Sequence, residues 1–379
     1  MRVALIHYWL VTMRGGENVL EALLDLFPQA DIFTHAYAPE AVSAKIRAAR
    51  VNTTFIQKLP LATKAYQKYL PLMPLALEQL DLRGYDLVIS SESGPAKGVL
   101  TSADTLHLCY CHTPMRYLWD MYQDYLAASG PITRGALRFF SHRLRLWDAA
   151  SAQRVDYFAA NSRNVARRIA KHYRREAEII HPPVDVDFFS PQDGAFPEPE
   201  DYYLYVGQLV GYKRVDVAVD ACTRLGKKLV VIGDGPERKR LEQAAGPGVT
   251  FLGNQKKDLL RRYMQRCKAL LFPGEEDFGI VPLEAMASGR PVIAYGKGGA
   301  LETVIPGKTG LLFQEQNVSS LCNALEEFAP DSGAFSPQVL LEHAGGFSHA
   351  VFRRGFSVFY ERCRAAWEKS PAEGSIGRE

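Results

Sequence analysis

The segment EEDFGIVPLEAMASGRPVIAY, residues 275–295, sets a short helical pattern directly before a β-branched run. Pro282 suits the first turn of a helix and Gly289 the position after its end, so the pattern predicts a helix over 282–288. The run PVIA at 291–294 then predicts a strand. A helix that leads straight into an apolar strand is typical of a parallel sheet covered by helices.

The same alternation of apolar runs and helical patterns continues along most of the chain, which predicts an α/β protein with parallel sheets. Strands are predicted in the first half at 2–6, 86–90, 106–110 and 156–160, and in the second at 202–206, 228–232, 249–252, 269–272 and 291–294. Ligands of such sheets bind beyond the carboxyl ends of the strands. The loops that follow these strands are therefore the places to look for a site.

The segment HPPVDVDFFSPQDGAFPEPE, residues 181–200, is rich in proline and acidic residues and marks a domain boundary. We predict an N-terminal domain over 1–183, a linker over 184–199 and a C-terminal domain over 200–349. A helix over 350–371 is predicted to return to the N-terminal domain. Its apolar face consists of Phe352, Phe356, Phe359, Cys363 and Trp367.

Composition and charge narrow the class of protein. The chain of 379 residues carries 45 basic and 42 acidic side chains, a balance that does not suggest a nucleic-acid-binding protein. The six cysteines form no CxxC pair and no cluster with zinc spacing, as expected of reduced thiols in a cytoplasmic protein. No apolar stretch approaches the ~18 to 20 residues of a membrane span, so any contact with a bilayer would be peripheral.

The turn before the predicted helix 282–288 is suited to binding an anion. Backbone N–H groups at 278–281 precede the helix without intrahelical acceptors, and the positive end of the helix dipole adds to their pull on phosphate. Glu276 lies before the helix and Glu284 in its first turn, and a carboxylate suits the hydroxyls of a ribose or a sugar. Taken alone, Glu284 would be read as complementing the helix dipole and Glu276 as a solvated loop charge; both around this turn favour a ligand site.

Three further loops follow predicted strands. Lys213 and Arg214 follow the strand at 202–206 and could neutralise a diphosphate, although a solvated basic turn is equally compatible. Gly16 lies in the Gly-Gly loop after the first strand, where a ligand can approach the backbone. His112 follows the strand at 106–110, although a lone histidine is more often structural. No loop carries G-x-G-x-x-G, so a Rossmann dehydrogenase is poorly supported.

Taken together, these loops resemble the glycosyltransferases of family 4, retaining enzymes of the GT-B architecture, in which two Rossmann-like domains face each other across a cleft. The resemblance covers nearly the whole chain. Besides the Gly-Gly loop and His112, it rests on G-x-L-x-x-x-K (207–213), GDGP (233–236), FLGN (251–254), E-x7-E (276–284) and GGALETVIPGKTGLLF (298–313). The chain looks most like bacterial mannosyltransferases that use GDP-mannose to build O-antigen or other surface polysaccharides.

The resemblance implies a role for each matching residue. Glu284 matches the glutamate that holds the nucleotide ribose, and Glu276 the one that borders the transferred sugar. The segment whose backbone contacts sugar and phosphates is matched by Phe278, Gly279, Ile280 and Val281.

Four other positions match the family pattern. Lys213 matches the basic residue on the diphosphate, and Gly16 the loop that closes over it. His112 matches the active-site histidine near the donor sugar, and Asn254 falls where the base is contacted. One position departs from the pattern, because Gln208 stands where the family usually has an arginine; Arg214 is the candidate for the missing charge.

The implied function is transfer of a hexose to a lipid-linked glycan. The favoured hexose is mannose, with GDP-mannose as the donor. The sugar nucleotide is then a substrate, and neither a cofactor nor a metal is expected. Two alternatives stay open: a family 4 enzyme that uses a UDP-sugar, and a non-catalytic glycan- or partner-binding module on a GT-B scaffold. The intact set of site residues argues against the second.

A basic amphipathic helix over 133–148 is a candidate for contact with an anionic membrane at its cytoplasmic face. Leu137, Phe140, Leu144 and Trp147 fall on one side of this helix. Another side carries Arg134, Arg138 and Arg145. A helix that turns its apolar side to the protein core is the favoured alternative.

Overall fold

The computed structural model describes residues 1–192, 194–329, 333 and 335–369, and these residues form two compact units. The first unit consists of Met1–Pro182 together with the described residues from Phe352 on. The second consists of Pro183–Val351. Each unit is built around one parallel sheet.

The sheet of the first unit contains, in the described part of the chain, seven strands in the order β3-β2-β1-β4-β5-β6-β7. The strands are β1 (Val3–His7), β2 (Asp31–Thr34), β3 (Val51–Thr53), β4 (Leu87–Glu92), β5 (Leu106–Cys111), β6 (Tyr157–Ala160) and β7 (Ala177–Ile179). The helices are α1 (Gly15–Leu26), α2 (Ala44–Ala48), α3 (Ala62–Ala65), α4 (Met73–Glu78), α5 (Tyr122–Ala128), α6 (Pro131–Ser151) and α7 (Arg163–Tyr173).

The sheet of the second unit contains, within the described residues, six parallel strands in the order β10-β9-β8-β11-β12-β13. The strands are β8 (Tyr203–Val206), β9 (Leu229–Ile232), β10 (Val249–Gly253), β11 (Leu270–Phe272), β12 (Val292–Tyr295) and β13 (Gly310–Phe313). The helices are α8 (Val186–Phe189), α9 (Val215–Arg224), α10 (Arg238–Ala244), α11 (Lys257–Arg266), α12 (Ile280–Ala287), α13 (Ala300–Thr303), α14 (Val318–Glu327) and α15 (Pro337–Gly345), and α16 (His349–Lys369) follows.

All nine strands predicted from the sequence are confirmed, with ends that differ by at most two residues. Four strands were not predicted, namely β2, β3, β7 and β13. Three of these, β3, β7 and β13, lie at the edges of their sheets. An edge strand is short and often half polar, as VNT in β3 and AEI in β7 are, so it lacks the apolar run that marks a central strand.

The segment 184–199 differs from the predicted linker. Its first residues belong to the second unit, because Val184 and Phe189 are buried in the core of that unit. The short helix α8 forms between them. Because this segment contains many prolines and acidic residues, the few apolar residues that pack in the core were not recognised in the sequence.

Helix α16 packs on the sheet of the first unit from Phe352 onward, as the predicted fold requires. Phe352 and Phe356 lie against Tyr110 of β5, with ring centroids 5.6 and 6.4 Å away. The predicted apolar face is therefore a core face. The last residues of the predicted helix, 370–371, lie outside the described residues.

The apolar side of α6 also faces the core of its unit and not solvent. Leu144 is buried, and Phe140 and Trp147 pack beside it against Met115 and Leu118. This is the alternative that the sequence favoured, so this side of the helix is not open to a membrane, and peripheral contact of the chain with a membrane stays a prediction. Among the described residues no helix is both long and apolar enough to cross a bilayer.

The packing of α16 predicts that Phe356→Ala destabilises the first unit by about 3 kcal/mol, because the substitution removes a fully buried ring. All four tryptophans of the chain, at 9, 119, 147 and 367, belong to this unit. Tryptophan fluorescence during urea unfolding therefore reports on it selectively. Val358→Ala is the matched control on the same helix, since Val358 is 60% exposed, and it should change stability little. Equal effects of both substitutions would contradict the packing role of α16.

Candidate functional site

Each sheet reverses its strand order at one point, between β1 and β4 in the first unit and between β8 and β11 in the second. Loops that leave neighbouring parallel strands in opposite directions open a crevice at such a point, and ligands of α/β proteins bind there. Most of the predicted site residues follow strands next to these two points.

In the second unit the loops after β8 and β11 are joined by an ion pair. Nζ of Lys213 lies 2.8 Å from Oε1 of Glu276, and both side chains are partly exposed, at 17% and 24%. The structure thus brings together the residue predicted for the diphosphate and the one predicted for the sugar. Their charges satisfy each other and remain within reach of a ligand.

Helix α12 begins two residues earlier than predicted, at Ile280. Gly279 precedes it in the left-handed conformation, with φ of 85°, which glycine adopts without strain. A proline is tolerated within the first turn because the N–H that it lacks would have no intrahelical acceptor there, so Pro282 does not define the start. The first turn of α12 therefore presents the backbone of Gly279, Ile280 and Val281 at the end of β11, whereas the side chain of Phe278 is buried in the core.

Glu284 lies in the second turn of α12 and not in the first, because the helix starts earlier. Its carboxyl group is half-buried, and this burial raises its pKa to about 7. Lys257 lowers the pKa and Asp185 raises it, both less than burial does. A carboxyl group with such a pKa can donate or accept a hydrogen bond near neutral pH, which suits a hydroxyl ligand.

The sequence also singled out Arg214, Asn254 and Gln208 in the second unit. The guanidinium of Arg214 contacts the carboxylate of Asp216 and the carbonyl oxygen of Gln316, at 3.1 Å each. It therefore does not join the Lys213–Glu276 pair, and its expected role in place of the missing arginine stays a prediction. Asn254 is exposed just after β10, and Gln208 is exposed just after β8.

In the first unit Gly16 is part of helix α1 and not of a loop. A Cβ atom at this position would lie 2.5 Å from the hydroxyl of Tyr8 and 3.4 Å from Cε1 of His7. Any larger residue would have to displace the Tyr8 hydroxyl, so glycine suits this close approach. The chain thus brings the N-terminus of α1 directly against the end of β1.

His112 follows β5 and is half-buried. Its Nε2 lies 2.9 Å from the hydroxyl oxygen of Ser91 at the end of β4, and the same hydroxyl lies 3.1 Å from Nδ1 of His7 at the end of β1. His7 and Ser91 were not among the site residues predicted from the sequence. A signal was present, because each directly follows a predicted strand, at 2–6 and 86–90.

One further contact escaped the sequence analysis. Lys297, on the loop after β12, pairs with Glu275 at 3.0 Å and so ties that loop to the one after β11. The backbone N–H of Gly299 also donates to the carbonyl oxygen of Glu276 at 2.8 Å. Among the described residues, no group of three or more histidine, cysteine, aspartate or glutamate side chains is placed to hold a metal ion.

Two Rossmann-like units of this kind define the GT-B class, and the comparison with solved structures confirms that fold. Sucrose-phosphate synthase from Thermosynechococcus elongatus matches with a TM-score of 0.73 and 21% identity, over 97% of this chain and 100% of that one. Anabaena HepE in complex with UDP matches with a TM-score of 0.70 and 17% identity, over 96% and 100%.

Two protein-family models identify the domains. The model described as Glycosyltransferase Family 4 matches residues 13–188, and the model described as Glycosyl transferases group 1 matches residues 187–336. The chain is therefore composed of a family 4 and a group 1 glycosyltransferase domain, as the resemblance of its loops predicted.

The curated relatives do not show which sugar nucleotide is the donor. D-inositol 3-phosphate glycosyltransferase of Mycobacteroides abscessus is 29% identical over 51% of this chain and 49% of its own length. The protein of that name from Mycobacterium avium is 31% identical over 51% and 52%. The chain thus spans about half the length of these curated relatives, and the narrower likeness to GDP-mannose-dependent enzymes stays a prediction.

The raised pKa of Glu284 predicts a pH-dependent effect of Glu284→Gln. Because the folded pKa of about 7 exceeds the ordinary value of 4.5, the protonated form stabilises the fold below pH ~4.5, and this contribution is lost as pH rises through 7. Glutamine stays neutral, so the variant should equal the wild type near pH 5 and exceed it at pH 8 by on the order of 2 kcal/mol.

Calorimetric unfolding at the two pH values measures this difference. Glu327→Gln, at an exposed position at the end of α14, is the control and should show no such trend. A difference for Glu284→Gln that does not vary with pH would contradict the effect of burial on the pKa of this carboxyl group.

Proposed function

We propose that this chain is a retaining glycosyltransferase that moves a hexose from a sugar nucleotide to a hydroxyl of a lipid-linked glycan. The observation that carries the proposal is the pair of Lys213 and Glu276 at the reversal point of the second sheet, beside the N-terminus of α12. A cation, a carboxylate and the backbone N–H groups at the start of a helix together match a diphosphate attached to a sugar.

In this proposal the residues act mainly through electrostatics. Negative charge develops on the departing diphosphate, and the ammonium of Lys213 and the N-terminus of α12 stabilise it. Glu276 orients the sugar hydroxyls, and Glu284 holds the ribose. The leaving phosphate assists removal of the acceptor proton, so no glutamate has to act as a nucleophile of the glycosidase type. His112 stays the proposed active-site histidine, and no metal or cofactor takes part.

We propose mannose from GDP-mannose as the donor group, on the likeness of the segments CHTPMRYLWD and VGYKRVD to such enzymes. A UDP-sugar is the second candidate, because the structural neighbour HepE was solved with UDP and with UDP-glucose. The two donors share the phosphates and the ribose and differ only in base and sugar. The residues discussed above would serve either of them.

We also propose that the outer side of α6 contacts an anionic bilayer at the cytoplasmic face, where a lipid-linked acceptor lies. Ile132, Phe139 and Leu146 follow one another at intervals of seven residues and are 90%, 66% and 61% exposed. A spacing of seven places them on one stripe of the helix. Arg138 and Arg143 are exposed beside this stripe, which suits anionic lipid.

The proposal predicts that a nucleoside diphosphate raises the melting temperature of the chain. A ligand at about 100 times its Kd stabilises the domain that binds it by ~2.7 kcal/mol, enough for a shift of several degrees. GDP, UDP and ADP are compared in a thermal-shift assay, and we expect GDP to act selectively. A selective response to UDP would replace GDP-mannose by a UDP-sugar, and no response to any of the three would contradict the donor site.

Release of nucleoside diphosphate in the presence of acceptor separates binding from chemistry. Glu276→Ala should abolish turnover while the thermal shift persists, because removal of the carboxylate leaves Lys213 available to the diphosphate. Glu275→Ala is the matched control, since this neighbouring carboxylate pairs with Lys297 and has no proposed contact with the sugar. Unchanged turnover in Glu276→Ala would contradict the assignment.

The membrane contact predicts that Phe139→Asp weakens binding to vesicles that contain phosphatidylglycerol, because a charge replaces an inserted apolar ring. Flotation with vesicles measures the bound fraction, and vesicles of phosphatidylcholine alone should bind little. Leu301→Asp, at a position 55% exposed in the second unit, is the control for a change of net charge. Equal binding of both variants and the wild type would contradict a role for α6.

A further inference from the structure

We propose that Glu17, His7 and Ser91 fix the tautomer of His112, with its proton on Nε2 and its lone pair on Nδ1. These four residues are called the His112 relay below. The role of His112 in sugar transfer rests on the proposed function, whereas the tautomer rests on the contacts of the first unit alone.

The relay runs across three neighbouring parallel strands. His7 ends β1 and is paired in register with Ser91 of β4, and β5 next to it leads to His112. The side chains of His7, Glu17 and Ser91 are buried, each about 1% exposed. The relay therefore lies at the reversal point of the first sheet, where its polar groups depend on one another and not on water.

When either histidine presents a nitrogen without a proton to it, the hydroxyl of Ser91 can connect the two histidines in only two ways. It lies 3.1 Å from Nδ1 of His7 and 2.9 Å from Nε2 of His112. A hydroxyl has one proton and two lone pairs, so beside a nitrogen without a proton it donates to that nitrogen and accepts from the other one. The tautomers of the two histidines are therefore linked through Ser91.

Glu17 selects between the two directions. Its Oε1 lies 3.6 Å from Nε2 of His7, and this nitrogen has no hydrogen bond to any described residue. A bare lone pair there would face the carboxylate in a buried environment and be repelled, whereas an N–H is attracted. Oε2 of Glu17 accepts from the backbone N–H of Arg14, which keeps the carboxylate at the N-terminus of α1.

The proton position on His7 determines the direction of each hydrogen bond up to His112. With its proton on Nε2, His7 accepts from the Ser91 hydroxyl through Nδ1. The oxygen of Ser91 then accepts from Nε2–H of His112, whose lone pair lies on Nδ1. In this tautomer Nδ1 of His112 can accept a hydrogen bond and cannot donate one. Glu17, His7 and Ser91 are positioning residues, since they act through His112.

Nuclear magnetic resonance of the full chain with ¹⁵N-labelled histidine tests the tautomer directly. The chain has nine histidines, and the signals of His112 are identified by their absence in His112→Gln. We expect a proton on Nε2 of His112 that exchanges slowly with water because it is bonded to Ser91. A proton on Nδ1 instead would overturn the proposal.

Substitution of Ser91 tests the connection. Ser91→Ala should remove the slow exchange of the Nε2 proton, and Ser91→Thr should restore it. Ser90→Ala is the matched control, because Ser90 is the next residue of β4, equally buried, and bonds His107 at 3.0 Å instead. Slow exchange that persists in Ser91→Ala, or that is lost equally in Ser90→Ala, would overturn the relay.

Turnover gives the second readout. Ser91→Ala should lower kcat on the order of 10-fold, as misplacement of a catalytic group does, with KM for the sugar nucleotide unchanged. Ser91→Thr should recover activity, and Ser90→Ala should keep it. If the wild type has no transferase turnover, the proposed function fails while the tautomer can still be measured. Turnover with the reversed tautomer overturns the relay only.

Discussion

Parallel strand pairing is the constraint on which this molecule depends. It directs the carboxyl end of each strand to one edge of the sheet, and the loops that carry polar residues must gather there. Where the strand order reverses, neighbouring loops diverge and leave their side chains room to meet. Lys213 and Glu276 meet in this way after β8 and β11, and His7 and Ser91 meet at the carboxyl ends of β1 and β4. The strand order of each sheet therefore brings the residues of both clusters together, although they are far apart along the chain.

The central strands could be predicted because a strand covered by helices on both faces contains a continuous apolar run. β4 and β5 are fully buried, and each has an apolar run that stands out from the helical patterns beside it. Edge strands such as β3 have no such run, because one side of their backbone and part of their side chains meet solvent. The segment around Phe189 escaped prediction for the opposite reason, since a few anchoring apolar residues were outnumbered by proline and acidic neighbours.

The residues of the candidate site could be predicted from the sequence, but the contacts between them could not. The sequence shows that Lys213 and Glu276 follow strands, but it does not show that β8 and β11 are neighbours, which their separation along the chain conceals. The start of α12 was misplaced because Pro282 is a strong signal, although Gly279 determines the first turn by its left-handed backbone. The shift of two residues moves Glu284 into the second turn, where burial and not the helix dipole governs its carboxyl group.

The two polar clusters differ in a way that matches different tasks. The Lys213–Glu276 pair is partly exposed, so its net contribution to stability is small and a ligand can replace either partner at little cost. The groups behind His112 are buried, where an unsatisfied polar atom costs about 1 to 3 kcal/mol, and exchange with water or ligand is unfavourable. A replaceable pair is suited to recognition of a charged ligand. A buried relay is suited to keeping one side chain in a single state.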